Sequence, residues 1–505
     1  MKVLLISAPS RRFSLVPPMG LLQVGAILEG SGHTPLIFDP MLDSREPDYL
    51  GFGSLDRMLD SFKPDIVGYS GVATSYGSAK QYALHIRRRY PKITQIAGGP
   101  LASVYLLLLT KASMDLVVHG EAEVSLPLLM EQLDNGRTIH GIPGISFLHT
   151  NGETIRNKPA AQIENLDDLS LPAYHLVDFP RYFRHYLQDG SIDLFKDTLG
   201  SDKYVQEILG RVGADDRWVE IMTGRGCTHH CLFCYRHMKG VRYFSIDYVV
   251  KHIKFLKENY GIRGFQFADE LFNGSVERIF ALCDAIEANG LDIFYMVGGA
   301  RVDNINEKML KRLKETGCIE MNYGHESGSD KILKEYRKGT TVKQNRDITL
   351  LTTKTVGLIC PVQLVIGSPG ETDATILETI QFLKDIDAYH FSLNYLIALP
   401  ETPIWKHIMK NRLVADVEKY LDLVAEYGGA PLLNLTKMPD RIWKNRGFVI
   451  RKELDLYYYK KRGFSLRYIY RLMFLTILPF IPQWFKESAR RLIRLCKRRK
   501  GKSIV

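Results

Sequence analysis

Three cysteines lie within eight residues of one another and are the residues best suited to metal chemistry. Cys227, Cys231 and Cys234 have the spacing C-x3-C-x2-C, and His229 and His230 lie between the first two. Thiolates are the usual ligands of iron–sulfur clusters, and three on one loop can hold three irons of a cubane while the fourth iron stays open to a small molecule. Zinc with a histidine as fourth ligand is the alternative, although structural zinc sites more often use ligand pairs that are farther apart.

The other four cysteines are scattered through the chain. Cys283, Cys318 and Cys360 fall in a predicted helix or near predicted strand ends, where we expect thiols buried in the core, and Cys496 is near the end of the sequence. The first 226 residues contain no cysteine. Few, clustered thiols without a secretory leader indicate a reducing compartment, so the expected location is the cytoplasm.

The first part of the chain alternates short apolar runs with helical stretches, which predicts a doubly wound, Rossmann-like parallel α/β sheet. Ligands of such sheets bind outside the carboxyl ends of the strands, so the small residues there are candidate cofactor contacts: Ser70, Thr74, Gly98 and Gly99. Plain tight turns are the alternative reading of each. The predicted strands are 3–6, 36–38, 66–69, 93–96 and 116–118.

A second alternation of strands and helices follows a linker rich in Pro and Asp. Its six predicted strands indicate a partial (β/α)6 barrel of the TIM type, which begins just before the cysteines. They are 219–222, 264–267, 294–297, 320–323, 364–366 and 391–396. The predicted domains are a Rossmann-like domain at 1–140, a linker at 141–216, the barrel at 217–410 and a helical C-terminal region at 411–505.

Polar residues follow the strands of the predicted barrel, where complete barrels carry their functional groups. Carboxylates suit ammonium and hydroxyl groups, an arginine suits a carboxylate, and glycines allow close approach of the backbone to a ligand. Helix caps, surface ion pairs and simple turns are the alternatives. The candidates are Asp269, Glu270, Arg301, Glu326, Ser327, Gly367 and Glu371.

Together these features resemble the radical S-adenosylmethionine (SAM) superfamily, in the branch that carries an N-terminal cobalamin-binding domain. The resemblance implies that the three cysteines hold a [4Fe–4S] cluster, that SAM binds its open iron, and that Phe233 packs against the adenine. Cobalamin would bind the first domain, although that domain lacks the D-x-H-x-x-G segment that supplies a histidine to cobalt. The resemblance is carried by 227–234, 267–272 (FADELF), 324–329 (GHESGS), 337–339 (RKG), 367–372 (GSPGET), 70–74 (SGVAT) and 97–100 (AGGP).

The resemblance implies an enzyme that cleaves SAM to a 5′-deoxyadenosyl radical and methylates an unactivated carbon with cobalamin as methyl donor. Oxidative cyclisation, or another radical SAM reaction without cobalamin, is an alternative. A non-catalytic, zinc-stabilised protein that associates with membranes is a further alternative. The expected partners are a small-molecule or lipid-like substrate and an external electron donor of the flavodoxin or ferredoxin type.

The net charge of +11 is concentrated at the end of the chain. Residues 441–505 carry 19 Lys and Arg against three acidic residues, so the rest of the chain has a net charge of −5. This distribution gives no reason to expect nucleic-acid binding by the body of the protein. Residues 485–498 form a basic amphipathic pattern that can contact the inner face of a membrane peripherally, or can dock on the enzyme itself.

Overall fold

The computed structural model of the chain describes residues 1–10, 16–42, 50–185, 207, 210–213, 215–236, 238–388, 391–427 and 431–462. The basic amphipathic segment 485–498 lies outside the described residues, so peripheral membrane contact stays a prediction. In the described ranges no helix has both the length and the apolar character needed to cross a bilayer.

The first sheet has seven strands in the order β2-β1-β3-β4-β5-β6-β7, and the first five run parallel, as the sequence predicts. A hairpin formed by β6 and β7 adds antiparallel strands to one edge, so the sheet extends beyond residue 140. The strands are β1 (Lys2–Ser7), β2 (Thr34–Phe38), β3 (Ile66–Ser70), β4 (Thr94–Gly98), β5 (Leu116–Val118), β6 (Ile145–Leu148) and β7 (Thr154–Arg156).

The second sheet contains the six parallel strands predicted for the partial barrel, in sequential order. A two-residue strand pairs antiparallel with the outer edge of the first of them. The strands are β8 (Arg184–His185), β9 (Arg217–Ile221), β12 (Gly264–Phe267), β13 (Phe294–Ala300), β14 (Cys318–Glu326), β15 (Val362–Ile366) and β16 (Phe391–Tyr395), while β10 (Gly224–Gly226) and β11 (Val241–Tyr243) form a separate antiparallel ribbon.

Helices cover both sheets because each presents an apolar stripe to the strands. Cys283, Cys318 and Cys360 are buried, which confirms the prediction of core thiols. The helices are α1 (Met19–Gly30), α2 (Phe52–Phe62), α3 (Tyr76–Arg89), α4 (Tyr105–Lys111), α5 (Ala122–Asp134), α6 (Ile246–Tyr260), α7 (Val276–Ala288), α8 (Glu307–Glu315), α9 (Asp330–Glu335), α10 (Val342–Leu350), α11 (Asp373–Asp385), α12 (Pro403–Lys410), α13 (Val417–Tyr427), α14 (Asp440–Lys444) and α15 (Arg446–Arg462).

The C-terminal helices attach to both sheets. Leu421 of α13 is buried in the core of the first domain, among residues of α2 and α3. Trp443 of α14 and Ile450 of α15 are buried instead against β15, β16 and α11. The described part of the C-terminal region, up to residue 462, therefore packs on both domains.

Candidate functional site

The cysteine loop leaves the second sheet through the ribbon of β10 and β11. Gly226, the residue before Cys227, has a φ of +83°, and a β-carbon there would lie 2.4 Å from the carbonyl oxygen of Gly240. Only glycine fits such a left-handed position against backbone. The two strands of the ribbon thus close the base of the loop, and residues 227–234 extend from it at the carboxyl end of β9.

The sulfurs of Cys231 and Cys234 are hydrogen-bonded to each other, and Cys227 accepts a long contact from the backbone N–H of His229 at 3.5 Å. The bond between the two thiols lowers the pKa of Cys231, which favours its thiolate, and together with burial raises the pKa of Cys234. Among the described residues, no three Cys, His, Asp or Glu side chains converge on one metal ion. A cubane does not require such convergence because each cysteine binds a different iron.

Two residues with cationic side chains, Arg301 and Lys338, lie beside the cysteines and are linked by a hydrogen bond. Arg301 is 6% exposed, forms an ion pair with Asp303 at 2.7 Å and donates to the carbonyl oxygen of Lys338 at 2.6 Å. The ammonium of Lys338 lies 3.0 Å from Glu326 Oε1. Lys338 and Arg301 both lower the pKa of Cys231, after the larger effect of Cys234. Arg301 and Glu326, which the sequence predicts as cofactor contacts, therefore belong to one cluster of charged side chains beside the thiols.

Asp269 and Glu270 hold the backbone of the cysteine loop. The Asp269 carboxylate accepts hydrogen bonds from the N–H of Thr223 at 2.6 Å, from the hydroxyl of Thr223 and from the N–H of Gly224 at 3.1 Å. Burial raises the pKa of Asp269, and the bonds from Thr223 oppose that shift. Glu270 is exposed and accepts from the N–H of Gly226 at 2.6 Å.

The structure places Phe233 against Tyr336 and buries Ser327 directly after β14. The Phe233 ring packs edge to face on Tyr336 with centroids 5.2 Å apart, and the backbone N–H of the neighbouring Leu232 donates to the Tyr336 carbonyl at 2.9 Å. Ser327 is buried, and its hydroxyl accepts from the N–H of Ser329 at 3.1 Å.

The carboxylate of Glu371 contacts the backbone of the turn that follows β15. Its Oε2 accepts from the N–H of Gly367 at 2.5 Å, whereas its Oε1 has no partner within the described residues. Burial raises the pKa of Glu371 to about 7. The same region contains buried atoms without a described partner on Ser368 and Trp443, so this turn has unused hydrogen-bonding capacity.

A cavity of about 440 Å³ lies between the first sheet and the base of the cysteine loop. Its walls are mostly apolar. The first domain contributes strand ends and α1, and the second contributes the ribbon, α6 and Glu270. The lining includes Ser70, Gly98, Gly99, Glu121, Met222, Arg225, Met238, Phe244, Tyr248 and His252.

Three of the four candidates of the first domain line this cavity. They are Ser70, Gly98 and Gly99, and a β-carbon on Gly99 would lie 2.9 Å from Ser70 Oγ. Thr74 is not part of the lining, and its hydroxyl lies 3.1 Å from that of Ser10. The small residues at these strand ends leave a surface that suits the flat macrocycle of a corrin.

Ion pairs that sequence reasoning did not identify join the first domain to the ribbon. Glu121 Oε1 lies 2.6 Å from Arg242 and 3.2 Å from Arg225, and Arg225 also contacts Glu123 at 2.7 Å. Burial of the Glu121 carboxylate raises its pKa. The hydrogen bonds and charges of Arg242 and Arg225 outweigh this effect, so the pKa of Glu121 lies below its ordinary value. The partners are about 100 residues apart in sequence, so no local signal could have paired them.

Comparison with known proteins agrees with this geometry. Residues 221–383 match the family model described as Radical SAM superfamily. An uncharacterized methyltransferase of Pyrococcus horikoshii is 27% identical over 425 residues, which cover 82% of this chain and 84% of the relative. An anaerobic magnesium-protoporphyrin IX monomethyl ester cyclase of Synechocystis is 24% identical over 66% of this chain and 61% of its own length.

A solved structure has the same fold over both domains. It is the radical S-adenosylmethionine methyltransferase TsrM from Kitasatospora setae, with cobalamin and a [4Fe–4S] cluster bound. The TM-score is 0.62 at 21% identity, and the match covers 81% of this chain and 75% of that chain.

Proposed function

We propose that this chain, of which residues 221–383 match the radical SAM family model, is a cobalamin-dependent radical SAM methyltransferase acting on an unactivated carbon of a small molecule. One observation carries the proposal: the carboxyl ends of the first sheet and the base of the cysteine loop face each other across one cavity. The methyltransferase name of the Pyrococcus relative, and the cobalamin and cluster bound to TsrM, support it.

The residues of the loop fit a [4Fe–4S] cluster. Cys227, Cys231 and Cys234 would be its ligands, and the positive charges of Arg301 and Lys338 beside them favour thiolates. SAM would bind at the carboxyl ends of the barrel strands, between the cysteine loop and the turn with Glu371. When bound, the cluster supplies the electron that cleaves SAM, and cobalamin supplies the methyl group.

The chain's own task is to orient these groups and exclude water. Asp269 and Glu270 fix the backbone that precedes Cys227, and Glu121 with Arg225 and Arg242 holds the first domain over the loop. The mostly apolar cavity wall would limit the access of water to the space between the domains, which protects a reactive centre from side reactions. An external electron donor would have to reach the loop from the surface, where Cys234 is exposed.

The proposal is tested by anaerobic purification, cluster reconstitution and incubation with SAM and a reductant. We expect iron and sulfide near four per chain, retention of hydroxocobalamin through gel filtration, and release of 5′-deoxyadenosine. Cys231→Ala should lose the cluster and the 5′-deoxyadenosine, whereas Cys283→Ala, which removes a thiol buried in α7, should retain both. An intact cluster without 5′-deoxyadenosine would contradict the proposal, and zinc in place of iron would favour the binding-protein alternative.

The cyclase relative supports a second candidate, oxidative ring formation, on the same fold. The two reactions differ in their products. Methylation adds 14 mass units per transfer and consumes a methyl group from SAM, whereas ring formation removes hydrogen from the substrate. Mass spectrometry of converted substrate, together with assay of S-adenosylhomocysteine, separates them.

A further inference from the structure

The inner face of α12 packs directly on the cysteine loop. The backbone N–H of Ile404, in the first turn of the helix, donates to the carbonyl oxygen of Leu232 at 3.0 Å. Ile404 and Ile408 are buried in one apolar cluster, and the loop residues Leu232 and Phe233 pack against that cluster. Both loop residues lie between the second and third cysteines, so α12 covers the segment that is expected to hold the cluster.

The outer face of α12 is exposed and positively charged. Lys406, Met409 and Lys410 share this face, because residues three and four apart are neighbours on a helix. Neither lysine forms an ion pair with a described residue. Residues 403–413 contain three basic residues and no acidic one. We call this surface the α12 patch, and its exposed members are Lys406, Met409, Lys410, Arg412 and Leu413.

The surface around the start of α12 also reaches the third cysteine. Glu401, two residues before the helix, lies 3.5 Å from Arg156 of β7, and both side chains are exposed. Burial and the charge of Glu401 raise the pKa of Tyr235 to about 12, while the charge of Arg156 opposes this rise. Tyr235 directly follows Cys234, so this ion pair lies close to the end of the cysteine loop.

The charge and size of the α12 patch favour a compact acidic partner. Residues 1–440 have a net charge of −5, so the patch is a local positive area on a negative body. An extended polyanion would also meet the negative remainder of that body. The helix has eight residues and is about 12 Å long, which suits a small contact. Apolar side chains among charged ones are typical of protein interfaces, and those of electron-transfer complexes are among the smallest.

We propose that the α12 patch is the docking surface for an acidic one-electron carrier protein that reduces the cluster. The inference rests on the proposed function, because only a cluster held by the cysteine loop requires such a carrier. The reduced carrier would lose one electron and the cluster would gain it, with no bond formed or broken. Lysines around an interface mainly speed the encounter of the two proteins, and salt screens their effect.

Calorimetry on the full-length protein with cluster and cobalamin bound tests the docking. The probe is a flavodoxin with bound FMN and an acidic surface. We expect Lys406→Gln combined with Lys410→Gln to weaken binding by about tenfold at low ionic strength, because two exposed ion pairs are lost, and by much less at high ionic strength.

The matched control removes two exposed lysines from the opposite end of the first sheet. Lys63→Gln combined with Lys92→Gln should leave flavodoxin binding unchanged, since these residues line a groove beside the amino ends of β3 and β4. The basic residues after position 440 are the same in both double variants. A difference between the two variants therefore reports on α12 alone.

The rate of cluster reduction separates docking from other effects of the substitutions. Reduced flavodoxin should bleach the cluster absorbance more slowly in the α12 variant than in the wild type. Dithionite needs no docking surface, so it should reduce both proteins at the same rate. Release of 5′-deoxyadenosine with dithionite should also be equal, which shows that the variant is folded and loaded.

Equal flavodoxin affinity in the wild type and the α12 variant would overturn the inference, as would equal losses in the two double variants. Lack of flavodoxin binding to the wild type would overturn it as well. A single-stranded oligonucleotide and phosphatidylglycerol vesicles are the competing probes. If the α12 substitutions weaken binding of either as much as that of flavodoxin, the patch is a general polyanion site and the inference is wrong. Absence of 5′-deoxyadenosine from the wild type with dithionite counts against the proposed function and leaves the docking result unaffected.

Discussion

At the scale of single residues, one buried carboxylate organises the backbone that leads to the cysteines. Asp269 is 4% exposed and receives three hydrogen bonds from Thr223 and Gly224. Sequence reasoning treated Asp269 as a cofactor contact because it follows a barrel strand. Its hydrogen bonds assign it a positioning role for the segment that leads to Cys227, and direct contact with SAM stays a prediction.

Asp269→Asn should therefore destabilise the protein and reduce cluster uptake. The amide group places a donor where the native oxygen accepts, which leaves a buried N–H of Thr223 or Gly224 unpaired at a cost of about 1–3 kcal/mol. Thermal unfolding and iron content after reconstitution measure the two effects. Asp284→Asn on the exposed face of α7 serves as control, and equal behaviour of the two variants would contradict the positioning role.

At the scale of elements, the strand ends of the first sheet make one wall of the cavity because their residues are small. Gly99 follows β4 with a φ of +65°, close to Ser70 at the end of β3. Gly136, after α5, also has a positive φ of +60°, but a β-carbon there would have no atom within 4 Å. Gly99 and Gly136 therefore share a left-handed backbone conformation, but only at Gly99 would an added β-carbon meet another atom.

We expect Gly99→Ala to reduce cobalamin retention, whereas Gly136→Ala should not. Both substitutions carry the cost of a left-handed residue, about 1–2 kcal/mol, so both should lower the melting temperature. Only Gly99→Ala pushes a methyl group against Ser70 in the cavity wall. Absorbance of hydroxocobalamin after gel filtration gives the comparison. Equal retention by both variants would argue against this wall as the corrin surface.

At the scale of the whole molecule, α13 fastens the C-terminal region to the first domain through Glu418. Its Oε1 lies 2.5 Å from the Tyr76 hydroxyl and 2.7 Å from Lys80, and its Oε2 lies 2.6 Å from Lys111. The hydrogen bonds from Lys111, Lys80 and Tyr76 lower the pKa of Glu418 to about 2. A carboxylate with several charged or hydrogen-bonding partners stabilises the fold more than an isolated surface ion pair does.

Glu418→Gln should lower the melting temperature by about 2–4 °C and increase proteolysis near α13. A carboxyl with a lowered pKa contributes stability above its ordinary value near 4.5 and loses that contribution as the pH falls towards 2. The difference between wild type and variant should therefore be the same at pH 7.5 and pH 5.5. Glu453→Gln, exposed on α15, is the control. A difference that disappears between these pH values would exclude the carboxylate as its source.

Much of the fold was predictable because strand and helix periodicity is local. All six barrel strands and the five parallel strands of the first sheet occur where apolar runs predict them, with ends shifted by a few residues. The hairpin of β6 and β7 lies within the segment predicted as a linker, and its pairing with β5 depends on contacts distant in sequence.

The sequence by itself determined the spacing of the three cysteines, the order of the strands and the polar residues at strand ends, because each depends on neighbouring residues. Only the tertiary structure decided which of those residues meet. Glu121 pairs with Arg225 and Arg242 across the domains, while Asp269 turns to backbone rather than to the cavity. Burial and charge compensation are properties of packed surfaces, so residues that are neighbours in sequence do not determine them.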